Sequence, residues 1–453
     1  MMNIKTMAAL ATAMRPGLFI LALGLAASPA PCAAAEAPPA PPPLEHFFGN
    51  DAFGAAVLSP SGRYLAVRTA PKGRRDMLAV IDLETKAGKP VAEYADADIG
   101  HIQWVNDYRL VYDLRDGRTA HGDQIDAPGL YAVNRDGSAR MTLADRDGVR
   151  RAYQPWNTFL MDQPGKQTSA WIYVTRPLYD YRDDYFGTCL RHLNTETGAS
   201  EIAPEPDLEV NDFMLDFQGQ PRLAIRTSGF GTGLHYRDPA SGKWRDLTDV
   251  SQDAASRESI KPLGFGPDGA LYVIANGGAD LATLRTLDLT TGKVSKNVLV
   301  STAGYDFDGT LVVDKDKVLG VRLRTDAESN VWFDPAMQAL QAAVDKVFPA
   351  TINLITVPSE HSAPWVLVES YSDRQPARFS LYHTLTGMTE LVGSTYPSIQ
   401  ATQMGRQEAL HVKARDGLDI PGLLTLPATG GRKNLPMVVL VHGDPWARGA
   451  SWR

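Results

Sequence analysis

The chain has 453 residues, 44% of them hydrophobic and 21% charged, with a formal net charge of −7. That composition marks a globular protein with a sizeable core, and the length admits two or three domains or one large repeat fold. The acidic balance argues against nucleic acid or an anionic membrane surface as the main partner, because both select for basic patches; the short basic cluster at 72–75 reads as a solvated loop.

Residues 1–35 read as a signal segment. Lys5 and Arg15 form a positive n-region, and "GLFILALGLAA" (17–27) is an apolar run too short to span a bilayer comfortably. "APCAAAEA" supplies small residues for signal peptidase, with cleavage expected near Ala35. Cys32 follows Pro-Ala-Pro, a poor lipidation box, so a lipid anchor is not expected. The expected product is periplasmic or secreted, free of the membrane; losing Lys5 and Arg15 leaves 43 basic against 52 acidic residues, a net charge of −9. Residues 36–50, beginning "EAPPAPPP", form a Pro-rich spacer.

The mature chain keeps Cys189 alone, so it has no internal disulfide, and that residue reads as a small buried hydrophobe. No Cys/His spacing suggests a metal site, and no cofactor is expected. His46, His101, His121, His192, His235, His361, His383 and His411 stand singly and read as surface or core histidines.

Residues 51–409 are repetitive. One cue is strand, Pro/Ser/Asp-Gly turn, strand, as in "AAVLSPSGRYLAV" and "PLGFGPDGALYVIA". Asp-Gly favours tight turns, because Gly tolerates positive φ and Asp bonds its own turn backbone. It recurs at Asp116–Gly117, Asp136–Gly137, Asp268–Gly269 and Asp308–Gly309. A second cue closes an outer hairpin: "LAVIDLETKAG", "LRHLNTETGA", "LRTLDLTTGK" and "LYHTLTGMT". Units begin near Ala55, Ile99, Ala170, Val210, Pro262, Tyr305 and Ile352, and one carries the insertion "RPLYDYRDDYFG". Four short strands per unit at that period predict an all-β fold, a β-propeller of seven blades. Residues 334–348 break the pattern, with Met337, Leu340, Ala343, Val344 and Val347 at helical spacing.

The composition changes near Leu410. "LHVKARDGLDIPGLLTLPATGGRKNLPMVVLVHGDPWAR" reads as two alternating strands, a Gly-Gly loop and then Met437–Val441 as a fully buried strand. A propeller followed by "ARDGLDIPGLLTLP" and "LPMVVLVHGDPWAR" resembles the prolyl oligopeptidase family of serine peptidases, particularly its dipeptidyl aminopeptidase and acylaminoacyl peptidase branches. The resemblance implies that residues 410–453 begin an α/β-hydrolase domain and that its ligand is a peptide. It also makes His442, Gly443, Asp444 and Pro445 the remnant of an oxyanion loop, whose backbone N–H groups face the nucleophile in such hydrolases. Asp444 stands where the family has a second Gly.

The 453 residues contain no Gly-x-Ser-x-Gly, the nearest miss being "GASWR" at 449–453. In the family the elbow Ser, the Asp and the His all follow the oxyanion loop, so the resemblance places them past Arg453. The hydrolase start is therefore expected to be incomplete, no catalytic residue is assigned, and a separate hydrolase chain is a candidate partner. The chain alone is expected to be inactive, with the segment from Leu410 unable to fold for want of a sheet. Two readings stay open: the propeller part of an exported peptidase acting on short peptides, or a non-catalytic exported propeller binding a peptide, glycan or protein.

Overall fold

The computed structural model describes residues 40–48, 52–71, 73–119, 128–145, 153–164, 168–228, 231–248, 260–360, 362–428 and 432–441. A short helix α1 (Glu45–Phe48) precedes the first repeat. Blade 1 comprises β1 (Phe53–Leu58), β2 (Tyr64–Thr69), β3 (Met77–Asp82) and β4 (Gly88–Ala92). Blade 2 comprises β5 (Asp98–Trp104), β6 (Arg109–Arg115), β7 (Leu130–Asn134) and β8 (Met141–Ala144). In blade 3, β9 (Phe159–Leu160) leads to the long pair β10 (Trp171–Tyr179) and β11 (Tyr185–Asn194), then β12 (Ser200–Ile202). Blade 4 runs through β13 (Asp212–Leu215), β14 (Pro221–Ser228), β15 (Gly231–Arg237) and β16 (Trp244–Thr248).

Blades 5 and 6 have three strands each: β17 (Ile260–Phe265), β18 (Leu271–Ala275) and β19 (Thr283–Leu287), then β20 (Gly309–Val313), β21 (Val318–Arg324) and β22 (Glu328–Trp332). In blade 5 the fourth strand is reduced to bridges, Leu287 to Val294 and Leu284 to Val300. After blade 6 the chain forms helix α2 (Pro335–Val347), the helix expected from its spacing. Asp334 caps it by accepting from the Met337 N–H, and Met337 and Val344 bury themselves beside Trp332 and Val366. Blade 7 comprises β23 (Ile352–Thr356), β24 (Trp365–Tyr371), β25 (Arg378–His383) and β26 (Thr389–Ser394). Six of the seven sheets start close to the positions read from the sequence, the third starting earlier, at Phe159, with Ala170 just before its second strand; the propeller and its blade number agree with expectation.

Local turn chemistry explains the regular outer hairpins. The residue that ends or directly follows the third strand accepts from the N–H groups two and three positions on: Asp82, Asn194, Asp238 and Asp288 all do so. Hydrogen bonds donated first by Thr291 and then by Thr290 hold the Asp288 carboxyl below its usual range. Four positions after the capping residue the backbone turns left-handed, with Gly198, Gly242, Gly292 and Gly387 in blades 3, 4, 5 and 7. Blade 1 departs from this pattern by placing Lys86 there, at φ 59°. Asp308–Gly309 is a correction: it is no hairpin turn, since Gly309 opens β20 and Asp308 instead pairs with Arg324 at 2.6 Å.

Neighbouring blades share their cores. Leu78, Ile99, Trp104, Leu110 and Tyr112 fill the space between blades 1 and 2, and Val111, Leu130, Leu143, Ile172 and Leu193 that between blades 2 and 3. The ring closes by packing of Phe53, Leu65 and Val67 on Trp365, Leu367 and Leu381, and by backbone hydrogen bonds such as Ala52 N–H to Thr395 O at 2.9 Å. Each sheet keeps its own strands in chain order, so among the described residues no strand crosses that seam.

The meander fixes which loops share a face. In a four-stranded blade the first and third turns lie on one face; the second loop and the connector to the next blade lie on the other. The chain leaves β26 on the connector face, and there forms the hairpin of β27 (Arg406–Lys413) and β28 (Asp419–Leu426). This corrects the expectation that the segment could not fold: the two strands pair with each other over eight residues. Gly417, at φ 88°, gives the tight turn between them. Met437–Val441, expected as a buried strand, is unpaired and 69–91% exposed, because no described strand offers it a ladder.

Candidate functional site on the hairpin-bearing face

Three features gather on the connector face: a cavity between blades 1 and 2, a long aromatic hairpin on blade 3, and the contacts that seat the β27–β28 hairpin. The predicted oxyanion-loop residues His442, Gly443, Asp444 and Pro445 lie outside the described residues.

The cavity, about 540 Å³, is built by close approach of side chain to backbone. Arg68, from β2, crosses to the inner strands and donates to Gly54 O and Gly100 O, both at 3.1 Å. A Cβ at Gly54 would stand 2.3 Å from the Arg68 Nε, so only glycine admits the guanidinium. β5 bulges between Ile99 and Ile102, and Asp113 caps the bulge by accepting from the His101 N–H at 2.7 Å. The bulge leaves the His101 side chain exposed at the cavity wall. Burial pushes the Asp113 carboxyl above its ordinary range.

Beside it runs an ion-pair network. Asp76, 2% exposed, accepts from Arg115 at 3.0 Å and lies 3.5 Å from Arg68. Asp98 accepts from the Asp76 N–H at 2.9 Å, from Arg75 at 2.8 Å and from the Gly117 N–H at 3.0 Å. Burial opposes ionisation of Asp98, but those three donors outweigh it and hold its carboxyl low. The same Arg75 nitrogen reaches Asp116 at 2.6 Å and, with Thr119 and the Arg118 N–H, keeps that carboxyl ionised well below its usual range. The result is a rigid rim of fixed charges around a partly apolar hollow, suited to gripping the backbone and terminal charge of an extended ligand.

The insertion "RPLYDYRDDYFG" lengthens the β10–β11 hairpin, and Asp180 ties its tip by accepting from the Arg182 and Asp184 N–H groups at 2.7 and 3.0 Å. Tyr179, Tyr181, Tyr185 and Phe186 stand exposed around that tip. On the far side of the ring, His411 of β27 meets Asp419 of its own hairpin at 2.9 Å and Asp326 of blade 6 at 3.5 Å. Tyr305 hydroxyl donates to Asp326 and lies 3.5 Å from His411 Nε2. Asp419 first, then Asp326, raises the His411 pKa. Gln407 N–H donates to Asp373 at 3.0 Å, so blades 6 and 7 both hold the hairpin.

Most other histidines behave as single residues. His192 stacks between Trp171 and Tyr173, His383 accepts from a turn N–H, and His235 pairs with Asp246. Cys189 is buried. His121 and His361 lie outside the described residues. His411 is the one the sequence reading undervalued. Hairpin register around Asp416–Gly417 could have brought Asp419 beside it; nothing local announces Asp326. Among the described residues no three His, Cys, Asp or Glu side chains are arranged to hold a metal ion.

No family model matches the chain. It is 24% identical over 458 residues to dipeptidyl aminopeptidase BIII of Pseudoxanthomonas mexicana, covering 95% of this chain and 62% of that protein. It is 25% identical over 269 residues to dipeptidyl peptidase family member 6 of Caenorhabditis elegans, covering 52% and 36%. The chain thus spans less than two thirds of the length of these curated relatives. Among solved structures it resembles a prolyl endopeptidase, with TM-score 0.53, 12% identity, and 86% and 55% coverage of this and that chain. It also resembles a puromycin-hydrolysing peptidase of Mycobacterium tuberculosis, with TM-score 0.54, 13% identity, and 84% and 60% coverage. Fold and site define a seven-bladed β-propeller with a hairpin seated on its connector face. In its propeller and in its similarity to these peptidases the chain resembles the prolyl oligopeptidase family.

Proposed function

We propose that the chain is the propeller portion of an exported serine peptidase that hydrolyses short peptides. The observation that carries this is the hairpin-bearing face, where a charged cavity and an aromatic arm share one side of the ring with the segment that resembles a hydrolase start. The similarity to dipeptidyl aminopeptidase BIII over 95% of the chain supports it. The ring admits extended peptides and excludes folded proteins, and Arg68, Arg115 and the Tyr179–Tyr185 arm contact the substrate backbone. Export follows from residues 1–35, and the product is periplasmic or secreted.

Acyl transfer by this mechanism needs a Ser, a His base and an orienting Asp. The 453 residues hold no nucleophile elbow, so hydrolysis requires residues supplied by further chain or by a separate hydrolase chain. Incubation of the 453-residue chain with a fluorophosphonate should give no labelling. Fusion to the remaining hydrolase residues of the Pseudoxanthomonas relative should restore labelling and turnover of a dipeptidyl chromogenic substrate. Stoichiometric labelling of the unextended chain at one Ser would overturn the reading. A fusion that binds a peptide yet neither labels nor turns it over would favour the alternative, a non-catalytic exported propeller binding a peptide, glycan or protein.

A further inference from the structure

The face opposite the hairpin carries a second cavity, about 610 Å³, at the seam where blades 7, 1 and 2 meet. Its lining comes from first- and third-turn residues: Ser61 and Glu84 of blade 1, Asp107 and Arg135 of blade 2, and Trp365 of blade 7. All lie on the opposite side of the ring from β27 and β28, so the cavity is separate from the site described above.

Arg135 is held in a fixed pose. Its guanidinium lies 4.2 Å from the Tyr64 ring centroid and 4.8 Å from that of Tyr108, and it donates to Asp107 O at 2.9 Å. Among the described residues it has no carboxylate partner. A planar fork pinned by two rings, with donors left over, is prepared for a carboxylate. The opposite charge is present beside it. Asp107 uses Oδ1 to accept from the Ser61 N–H at 3.0 Å, and its other oxygen has no partner among the described residues. Glu84 pairs with Arg63 at 3.0 Å while remaining 70% exposed. Leu83, Pro364 and Trp365, one face of whose ring Lys86 covers at 4.3 Å, add apolar lining.

From this we infer that the cavity is a binding site for a small zwitterion carrying an apolar side chain, a free dipeptide. Arg135 takes its carboxylate, Asp107 takes its ammonium group, and the side chain lies against Trp365. The volume is within the range of small-ligand sites, about 300–1,000 Å³. The site stands whether or not the connector face serves a peptidase; if it does, the ligand has the chemical form of a product of that reaction.

The test is calorimetric titration of the full chain with Ala-Leu, N-acetyl-Ala-Leu and Ala-Leu amide. Ala-Leu should bind, and removing either terminal charge should weaken it about 10- to 100-fold, the value of a hydrogen-bonded charge. Arg135→Gln should lose the preference for the free carboxylate and Asp107→Asn the preference for the free amine. Arg135→Lys, which keeps the charge without the fork, controls for folding and should bind with intermediate affinity. Lys243→Gln, an exposed residue in the outer turn of blade 4, should change nothing. No binding at millimolar Ala-Leu, equal affinity for Ala-Leu and either capped peptide, or unchanged affinity in Arg135→Gln would overturn the proposal.

Discussion

Arg109→Met removes one of the side chains that tie two blades together. Arg109 is 1% exposed. Its Nε donates to Thr195 Oγ1 at 3.0 Å, Nη1 donates to Asn134 Oδ1 at 2.7 Å and Ala139 O at 3.1 Å, and Nη2 donates to Thr195 O. Asn134 and Ala139 belong to blade 2, whereas Thr195 belongs to the outer turn of blade 3. No carboxylate touches the guanidinium; burial pushes its pKa down, and Glu196 opposes this only from a distance. Methionine keeps the apolar stem but leaves the fully buried Thr195 carbonyl without its partner. An unsatisfied buried acceptor costs about 1–3 kcal/mol, and breaking a buried charged network about 3–5 kcal/mol. Ala139 is exposed, and water restores its bond, which places the expected loss near 3 kcal/mol. With a urea m-value of about 3 kcal/mol per molar or more for a chain this size, the midpoint should fall by up to roughly 1 M. Urea titration followed by circular dichroism measures it. A change below about 0.5 kcal/mol would refute the view that this guanidinium joins the blades.

Gly54→Ala should cost about 1–3 kcal/mol by overpacking, because Arg68 is tied at both terminal nitrogens and has little freedom to retreat; thermal unfolding reads it. Lys86 pairs with Glu390 at 2.8 Å and covers the Trp365 ring at 4.3 Å. Lys86→Met should therefore lose about 1 kcal/mol, whereas Lys86→Gly, relieving a left-handed backbone worth about 1 kcal/mol, should lie near wild type in the same denaturation assay. The His411 pKa is raised in the fold by Asp419 and Asp326, with Lys413 and Tyr305 the other groups facing the cluster. Its contribution to seating the hairpin is full below the unfolded value of about 6.5 and is lost as pH rises through the higher folded value. Hydrogen exchange across β27 and β28 should quicken over that rise, and His411→Phe should abolish the pH dependence.

The propeller was legible because its cues are local. Strand, capped turn and left-handed glycine recur in sequence at short range, so Asp82, Asn194 and Asp288 announce their hairpins without tertiary help. Asp308–Gly309 carried the same two letters in a different place, where an ion pair to Arg324 replaces turn chemistry. Met437–Val441 shows the opposite limit: apolarity states a preference for burial, but burial needs a neighbour, and none is present among the described residues. The cavity at Arg68 joins β1, β2, β5 and β6, and the His411 cluster joins residues 85 positions apart through Asp326. Neither spacing leaves a mark in one sequence.

The seam without an exchanged strand gives the ring a mechanical polarity. Tension applied through the β27–β28 hairpin reaches β26 first, at the Arg378–Ser394 pair that ends its ladder with β25. The load pulls that ladder open one rung at a time, as a zipper opens, instead of shearing all rungs together. Among the described residues no strand of blade 1 joins the blade 7 sheet to share the force, and at that end only the Ala52 N–H, donating to Thr395 O at 2.9 Å, reaches across. Blade 7 is thus the weak link under load: it peels from its free edge inward while blades 1 to 6 keep their sheets, and whatever pulls on the hairpin pulls on the clasp of the ring.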